Sequence, residues 1–397
     1  MQNSLWQIRD FRILITGQIV AVLGDWFGII AIIALAGFRW QVTPMEMSLV
    51  IFSLAGPMMF IGPLGGVIID RVDRAWAMII IDVLRAIILL FIASATTFWV
   101  LIVYLVIFGS LDACFMPAKN AKLKEVPPPE MLNDAVIYSS FVDQGAKIVG
   151  PALGGTVLAF FSIEAALYFN AITYIMSAII LSFLSKSKYK QKSEKNDFWR
   201  EFKDGLMVAK TIPFMLYGAL VQVFVVFTVQ IVDSQFVILL RTLPYTSEAW
   251  VGYCFMASGL GTVLTTYFYL KRNDNLDVRA SLVRGMLLYS CSIIGIGLWG
   301  WFGTVPAGFL IFFLIWGASG ALIFVKFIAY AQAKIPEEYS GRIIGSLASM
   351  ISGASMVGLF AGGLLVSGLG PVNAFLLAGV LMLLGGIGLG LRIHVVG

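Results

Sequence analysis

Twelve long apolar stretches follow one another along this sequence, with little polar chain between most of them. A helix needs about 20 mostly apolar residues to cross a lipid bilayer. The stretches therefore predict an all-α membrane protein with twelve transmembrane helices. They lie at 13–37, 48–69, 75–95, 98–117, 135–160, 164–185, 214–240, 249–270, 281–301, 304–331, 342–367 and 370–391.

The composition excludes several other classes of protein. Only 12% of the 397 residues are charged and 59% are apolar, whereas about 25% are charged in an ordinary soluble protein. One His and three Cys are too few for the usual zinc or iron–sulfur sites, so we expect no metal. The predicted loops contain no nucleophile elbow and no phosphate-binding loop, so we expect no enzyme and no bound cofactor.

The positions of the basic residues predict the orientation. Of 27 Lys and Arg residues, 22 fall on the side shared by the two termini, and Arg39 and Arg241 fall on the other side. Positive charge concentrates on the cytoplasmic side of membrane proteins. We therefore expect a multi-pass protein of the cytoplasmic membrane with both termini in the cytoplasm. The net charge of +5 then reflects this orientation, and we expect no binding to nucleic acid.

The sequence contains an internal repeat with an offset of 208 residues. GAKIVGPALGG at 145–155 aligns with GASMVGLFAGG at 353–363, and Asp25 aligns with Asp233. Six helices in each half enter the membrane from the same side, so the halves are predicted to be parallel repeats. We expect a first six-helix bundle at 1–185, a cytoplasmic linker with a lipid-contacting amphipathic helix at 186–213, and a second bundle at 214–397.

Two motifs carry a family resemblance. GVIIDRVDR at 66–74 joins spans 2 and 3, and Gly150-Pro151-x-x-Gly154-Gly155 lies in span 5, where small residues allow close helix packing. With GDWFGIIAI, IDVLRAI and IPEEYSGR elsewhere, the chain resembles the major facilitator superfamily, and most closely its macrolide-efflux and enterobactin-exporter branch. The resemblance implies that Asp70, Arg71 and Arg74 form a cytoplasmic gate. It also implies that spans 1, 4, 7 and 10 line a central cavity.

Each of these four cavity spans carries one ionisable residue, namely Asp25, Asp112, Asp233 and Lys326. Charged groups in a bilayer are costly, so each needs a partner or a task. We expect Asp112 to pair with Arg71 or Arg74 at the gate. Within single helices, Asp82 can pair with Arg85 and Asp143 with Lys147.

Asp25 lies near the middle of span 1, where burial favours the neutral form of a carboxyl and permits proton binding and release. We expect it to couple transport to protons, with Asp143 as a second candidate. The alternative is a buried carboxylate tied to a neighbouring donor or to Lys326. The predicted substrate-binding residues are Asp25, Gln222, Gln230, Asp233, Trp316 and Lys326.

These expectations together describe a monomeric, proton-coupled exporter of small amphipathic molecules, driven by the proton gradient alone. A drug-like or macrolide-like substrate is the first expectation, with multidrug resistance as the associated function. A siderophore or another anionic metabolite is the alternative, because Lys326 lies in a cavity span and Lys147 lies in span 5. A lipid flippase on the same fold also stays open, because fold does not fix function.

Overall fold

The computed structural model describes residues 5–69, 72–185, 207–208, 210–212, 214–272, 278–303, 305–335 and 340–396. The regular structure within these ranges is helical. In the first half the helices are α1 (Arg9–Ala34), α2 (Pro44–Ala55), α3 (Pro57–Ile69), α4 (Arg74–Ala93), α5 (Phe98–Glu125), α6 (Leu132–Phe160) and α7 (Ile163–Leu181). In the second half they are α8 (Met215–Asp233), α9 (Phe236–Leu240), α10 (Glu248–Arg272), α11 (Val278–Phe302), α12 (Phe309–Gly320), α13 (Lys326–Lys334), α14 (Ser340–Leu369) and α15 (Pro371–Val396).

The described parts of all twelve predicted spans are largely helical, with breaks at Gly56 in the second span and at 234–235 in the seventh, and with non-helical residues at several span ends. Ten helical segments of the described chain are long and apolar enough to cross a membrane. The predicted spans 135–160 and 249–270 form α6 and α10, which have the length but not the hydropathy. In α6 the reason is visible, because Asp143 and Lys147 interrupt its apolar character.

The chain divides into two compact units. The first comprises Met1–Trp40 and Leu49–Glu194, and the second comprises Gln41–Ser48 and Lys195–Gly397. Most of the predicted linker, including most of its amphipathic segment, lies outside the described residues.

The two units repeat the same set of helix contacts. In the first, α1 packs on α6 and α7, α4 on α5 and α7, and α3 on α5. In the second, α8 packs on α14 and α15, α11 on α12 and α15, and α10 on α12. The starts of α6 and α14 are 208 residues apart, as are those of α7 and α15. The offset found in the sequence is therefore also the offset of the helices.

The predicted glycine motif packs α6 against α1. A Cβ atom at Gly150 would collide with the indole ring of Trp26, and one at Gly154 would lie 2.6 Å from the Trp26 carbonyl oxygen. Gly155 is also buried, and α6 continues through Pro151. A larger residue at Gly154 would collide with backbone, and one at Gly150 would have to displace the Trp26 ring, so the motif fixes how closely α6 approaches the part of α1 next to Asp25.

The repeat places equivalent glycines between α14 and α8. A Cβ atom at Gly358 would collide with the carbonyl oxygen of Phe227, and one at Gly362 with that of Ile231. Both obstacles are backbone atoms, which cannot rotate away as a side chain can. Glycine is thus required for the same helix approach in both units, although the neighbouring atoms differ.

Candidate functional site

A cavity of about 190 Å³ lies within the first unit, between α1, α2, α5 and α7. Asp25 and Asp112 supply its acidic groups, and Asn170 and Tyr174 add further polar atoms. The remaining lining is apolar and consists of Gly28, Ile29, Ile32, Leu54, Ala55, Phe108 and Gly109. The two carboxylates predicted on spans 1 and 4 therefore line the same cavity.

Close packing of α1 on α7 positions Asp25. A Cβ atom at Gly24 would collide with the hydroxyl of Thr173, and one at Gly28 with the side-chain amide of Asn170. At this short helix separation the phenol of Tyr174 donates a hydrogen bond to the Asp25 carboxylate. Asp25 is therefore tied to a neighbouring donor, which is one of the partners considered for this residue.

A buried cluster of charges lies beside Asp25. Arg85 donates to Asp82 over 3.2 Å and also to Asp112. The pairing of Asp82 with Arg85, which their three-residue spacing predicted, is thus confirmed. Ser177 of α7 donates to the second oxygen of Asp82 over 2.7 Å. Arg85 is 1% exposed and Asp82 is fully buried, so their charges depend on these partners.

Aromatic rings complete the surroundings of Arg85. Its guanidinium lies 4.4 Å from the ring centroid of Phe115 and 5.2 Å from that of Tyr174. Tyr174 thus contacts Asp25 through its hydroxyl and Arg85 through its ring face. Through this one side chain, the carboxylate in the cavity and the ion-pair cluster behind it are connected.

Asp112 was expected to pair with Arg71 or Arg74 at the gate, and the structure gives it Arg85 as a partner. Asp112 contacts Arg85 of α4, and Arg74 contacts Glu125 at the end of α5. Asp112 lies more than three turns before Glu125 on the same helix, so α5 presents the two acids at different depths. Asp70 and Arg71 lie outside the described residues.

Asp143, the second candidate for proton coupling, also has a partner that its own helix does not supply. Lys119 of α5 lies 2.9 Å from one carboxylate oxygen, and the amide of Gln18 donates to the other over 2.8 Å. Gln18 also exchanges hydrogen bonds with Ser139. The expected ion pair with Lys147 was wrong, because Lys147 lies on an exposed part of α6 while Asp143 faces α1 and α5.

The remaining predicted binding residues lie in the second unit. Gln222, Gln230 and Asp233 lie along α8, and the side-chain nitrogen of Gln222 is buried without a hydrogen bond among the described residues. Trp316 of α12 packs edge-on against Tyr289, with ring centroids 5.1 Å apart. Lys326 begins α13.

Sequence reasoning missed the contribution of α7 to the site. Asn170, Tyr174 and Ser177 lie at spacings of four and three residues, which places them along one face of the helix. All three are buried, and α7 packs against α1 and α4. A polar stripe on an otherwise apolar span was the available signal.

A comparison with protein families assigns this architecture. Residues 14–352 match the model of the Major Facilitator Superfamily. The chain belongs to the major facilitator superfamily. It is therefore a membrane transporter for a small-molecule substrate and not an enzyme.

Relatives within the superfamily cover nearly the whole chain. The MFS-type transporter YfiS of Bacillus subtilis (strain 168) is 35% identical over 96% of this chain and 92% of its own length. Macrolide efflux protein A of Streptococcus pyogenes is 26% identical over 95% of this chain and 94% of its own. Among solved structures, a mutant form of the nucleoside transporter NupG superposes with a TM-score of 0.72 at 14% identity. That superposition covers 96% of this chain and 98% of NupG, and shows a shared fold.

Proposed function

We propose that this chain is a proton-coupled exporter of small amphipathic molecules, with Asp25 as the proton-binding residue. The observation that carries the proposal is the position of the Asp25 carboxyl, which lines a cavity and hydrogen-bonds Tyr174 beside the Arg85 cluster. A coupling carboxyl has to meet both solvent-borne protons and substrate. A cavity wall offers both kinds of access, whereas a sealed ion pair such as Asp82 with Arg85 offers neither.

The groups around Asp25 include some that favour its ionised form and some that disfavour it, and reversible protonation needs both. A charged carboxyl within a bilayer costs at least about 2.5–3.5 kcal/mol on insertion scales. Tyr174 donates a hydrogen bond to the Asp25 carboxylate, and the positive charge of Arg85 favours its ionised form. The negative charges of Asp82 and Asp112 disfavour that ionised form. In the proposed cycle, a proton from outside neutralises Asp25 and discharges the substrate, and loss of that proton to the cytoplasm restores the binding form.

Alternating access then follows from movement of one repeat against the other, as in other transporters built from repeats. Gly150 and Gly154 have a packing role in this cycle, because they set the approach of α6 to α1. We propose that Pro151 and Gly155, the other residues of the motif, share this role. Asp143 keeps a secondary role, since Lys119 already neutralises it. Asp70, Arg71, Arg74 and Asp112 were expected at the gate, and of these we retain Asp70, Arg71 and Arg74 as the proposed cytoplasmic gate.

A drug-like or macrolide-like substrate is the class that we propose first. One relative that covers nearly the whole chain is named as a macrolide efflux protein. Gln222, Gln230, Asp233, Trp316 and Lys326 are the proposed second-unit contacts of the substrate. We further propose a monomer in the cytoplasmic membrane with both termini in the cytoplasm, bundles at 1–185 and 214–397, and a lipid-contacting linker at 186–213.

The proposal is tested by transport into liposomes with an imposed proton gradient. Uptake of macrolides and cationic dyes is followed before and after an ionophore collapses the gradient, for the native protein and for Asp25→Asn. Asp134→Asn is the matched control, because Asp134 is an exposed carboxylate in the first turn of α6. We expect gradient-dependent uptake in the native protein and the control and none in Asp25→Asn. Uptake that ignores the gradient and Asp25 would reject the coupling.

An anionic substrate such as a siderophore is the second candidate, and Lys326 at the start of α13 favours it. An anion needs a cationic contact, so Lys326→Ala should abolish its transport and leave that of a cation intact. The same liposomes test a lipid flippase, whose activity would persist without a gradient and depend on the lipid headgroup.

A further inference from the structure

The walls of the first-unit cavity carry more negative than positive charge. Asp25 and Asp112 line it, and Asp82 lies behind them. Arg85 is the cation that meets Asp82 and Asp112. Within the described part of the chain, these are the charged side chains whose fields reach Asp25. Three carboxylates against one guanidinium leave the cavity negative even when one of them binds a proton, so a cation is favoured there over an anion.

A neutral donor lies beside these carboxylates. Asn170 is 1% exposed, and its side-chain oxygen lies 3.4 Å from the hydroxyl of Thr173. Its side-chain nitrogen makes no hydrogen bond to another described residue, and the amide lines the cavity. A donor on a cavity wall without a protein partner can donate to a bound molecule or to water. The cavity thus offers a donor for a ligand oxygen next to acceptors for a ligand cation.

The apolar part of the wall suits a substituted cation better than an inorganic ion. Phe108 and Tyr174 both line the cavity, with ring centroids 6.1 Å apart. Ring faces attract cations, and aliphatic side chains such as Ile29 and Leu54 contact alkyl groups. A metal ion would instead need several oxygen ligands around one point. An alkylammonium group uses the carboxylates, the rings and the aliphatic wall together.

The volume limits how much of a ligand enters. Sites that enclose a whole drug-sized ligand measure about 300–1,000 Å³. The first-unit cavity measures about 190 Å³. It is large enough for one functional group with its substituents, and the rest of an amphipathic molecule has to lie outside.

From these four observations we propose that the first-unit cavity binds the protonated amine of the substrate, with Asn170 donating to an oxygen close to that amine. The amine contacts Asp112 and Asp25, and its alkyl substituents lie against Phe108 and Tyr174. The inference rests on the proposed function as an exporter and names its substrate class, an amphipathic amine with a nearby hydroxyl, ether or carbonyl oxygen. Protonation of Asp25 then weakens binding of the amine, because the proton and the ammonium group compete for the same carboxylate.

Equilibrium binding to purified protein in nanodiscs of neutral phosphatidylcholine tests the inference without any gradient. The probes share one fluorophore and differ in charge: dansylcadaverine (a primary amine), its N-acetyl derivative (neutral) and dansyl-6-aminohexanoate (an anion). Neutral lipid is essential, because an anionic surface would itself concentrate the cation. We expect the amine to bind at least about tenfold more tightly than either analogue, as loss of a charge-assisted hydrogen bond predicts.

Variants locate the bound amine. Asp112→Asn should weaken amine binding about tenfold and leave the weak binding of the N-acetyl probe unchanged, because the neutral probe makes no charged contact with residue 112. The loss of the Arg85–Asp112 pair in this variant is common to both probes and so cancels in the comparison. Asp134→Asn, outside the cavity, should change neither. Asn170→Ala should weaken a 2-hydroxyalkylamine dansyl probe but not dansylcadaverine, which has no oxygen beside its amine.

Equal binding of the amine and its N-acetyl derivative, or an anion that binds best and depends on Lys326, would overturn the inference. So would an amine preference that survives Asp112→Asn and Asp25→Asn together in a variant that still binds probe. These outcomes are separate from those of the gradient experiment. Amine-selective binding with gradient-independent transport would reject the coupling alone, and gradient-driven transport of neutral or anionic molecules would reject the amine site alone.

Discussion

The two units share their helix packing but differ in their charges. Both use the same helix pairs, and glycines 208 residues apart permit the same close approaches. The residues 208 positions after Asp82, Arg85, Asp112 and Tyr174 are Ser290, Ile293, Gly320 and Met382. Among the residues of the cavity and its ion-pair cluster, Asp25 keeps an acidic equivalent, Asp233.

This difference separates what builds the fold from what performs the chemistry. Small residues at helix crossings are needed in both copies, because the backbones have to approach equally closely. Buried ion pairs are not needed for the packing, since the second unit forms the same contacts with Ser, Ile and Gly at the equivalent positions. Charges kept in one copy at a desolvation cost therefore indicate a task.

The largest expected effect compares the two equivalent aspartates. Asp25→Asn should reduce gradient-driven transport to background, because the side chain can no longer bind and release a proton. Asp233→Asn should retain the response to the gradient and change the substrate concentration at half-maximal rate. Liposome uptake with and without an ionophore measures both. Loss of the gradient response in both variants would mean that the two repeats share the coupling.

Next in size is the effect of replacing Arg85 with isoleucine, the residue at the equivalent position of the second unit, Ile293. Arg85→Ile leaves Asp82 buried without its cation, and we expect the free energy of unfolding to fall by about 3 kcal/mol. The double variant with Asp82→Ser, which copies Ser290, should recover part of this loss because no buried charge is left unpaired. SDS titration in mixed micelles measures both.

The conservative change Ile293→Val in the second unit is the control, with an expected cost of about 1 kcal/mol. If Arg85→Ile and its double variant were equally unstable, the loss would come from packing volume and not from the uncompensated carboxylate.

The sequence alone was enough for most of the fold. Apolar length located the spans, the offset of 208 residues predicted paired helices, and the glycine spacing predicted close helix packing, which α6 makes with α1. All three signals are local or repeat themselves, so they need no knowledge of which helix faces which.

The site was harder to predict from the sequence than the fold, and its contacts explain why. Asp82 and Arg85 lie three residues apart on one helix, and their pairing was predicted. Asp112 and Arg85 lie 27 residues apart, and Tyr174 and Asp25 lie 149 apart, on different helices. A membrane helix is apolar on every side, so its sequence gives weak information about which face meets which neighbour.

A smaller effect is expected at two equivalent glycines, one of which faces backbone and the other a side chain. Gly358→Ala places a methyl group against the carbonyl oxygen of Phe227, whereas Gly150→Ala places it against the Trp26 ring, which can rotate. We expect Gly358→Ala to cost about 1–3 kcal/mol of unfolding free energy and Gly150→Ala to cost less.

Gly145→Ala and Gly353→Ala are matched controls, because these equivalent glycines have no atom within 4 Å of the added methyl group. Thermal unfolding in detergent ranks the four variants. Equal losses at Gly358 and Gly150 would show that the Trp26 ring is held as firmly as backbone.

The smallest effect compares two buried tyrosines. Tyr174→Phe removes a hydrogen bond to the Asp25 carboxylate and should lower the free energy of unfolding by about 1.5 kcal/mol. Tyr289→Phe should change it by no more than about 0.5 kcal/mol, because the Tyr289 hydroxyl has no hydrogen bond to another described residue. Equal changes in SDS titration would mean that the phenol contributes no more to the charged cluster than to an apolar core. A larger change at Tyr174 would support its place beside Asp25 as a structural feature of the first unit alone.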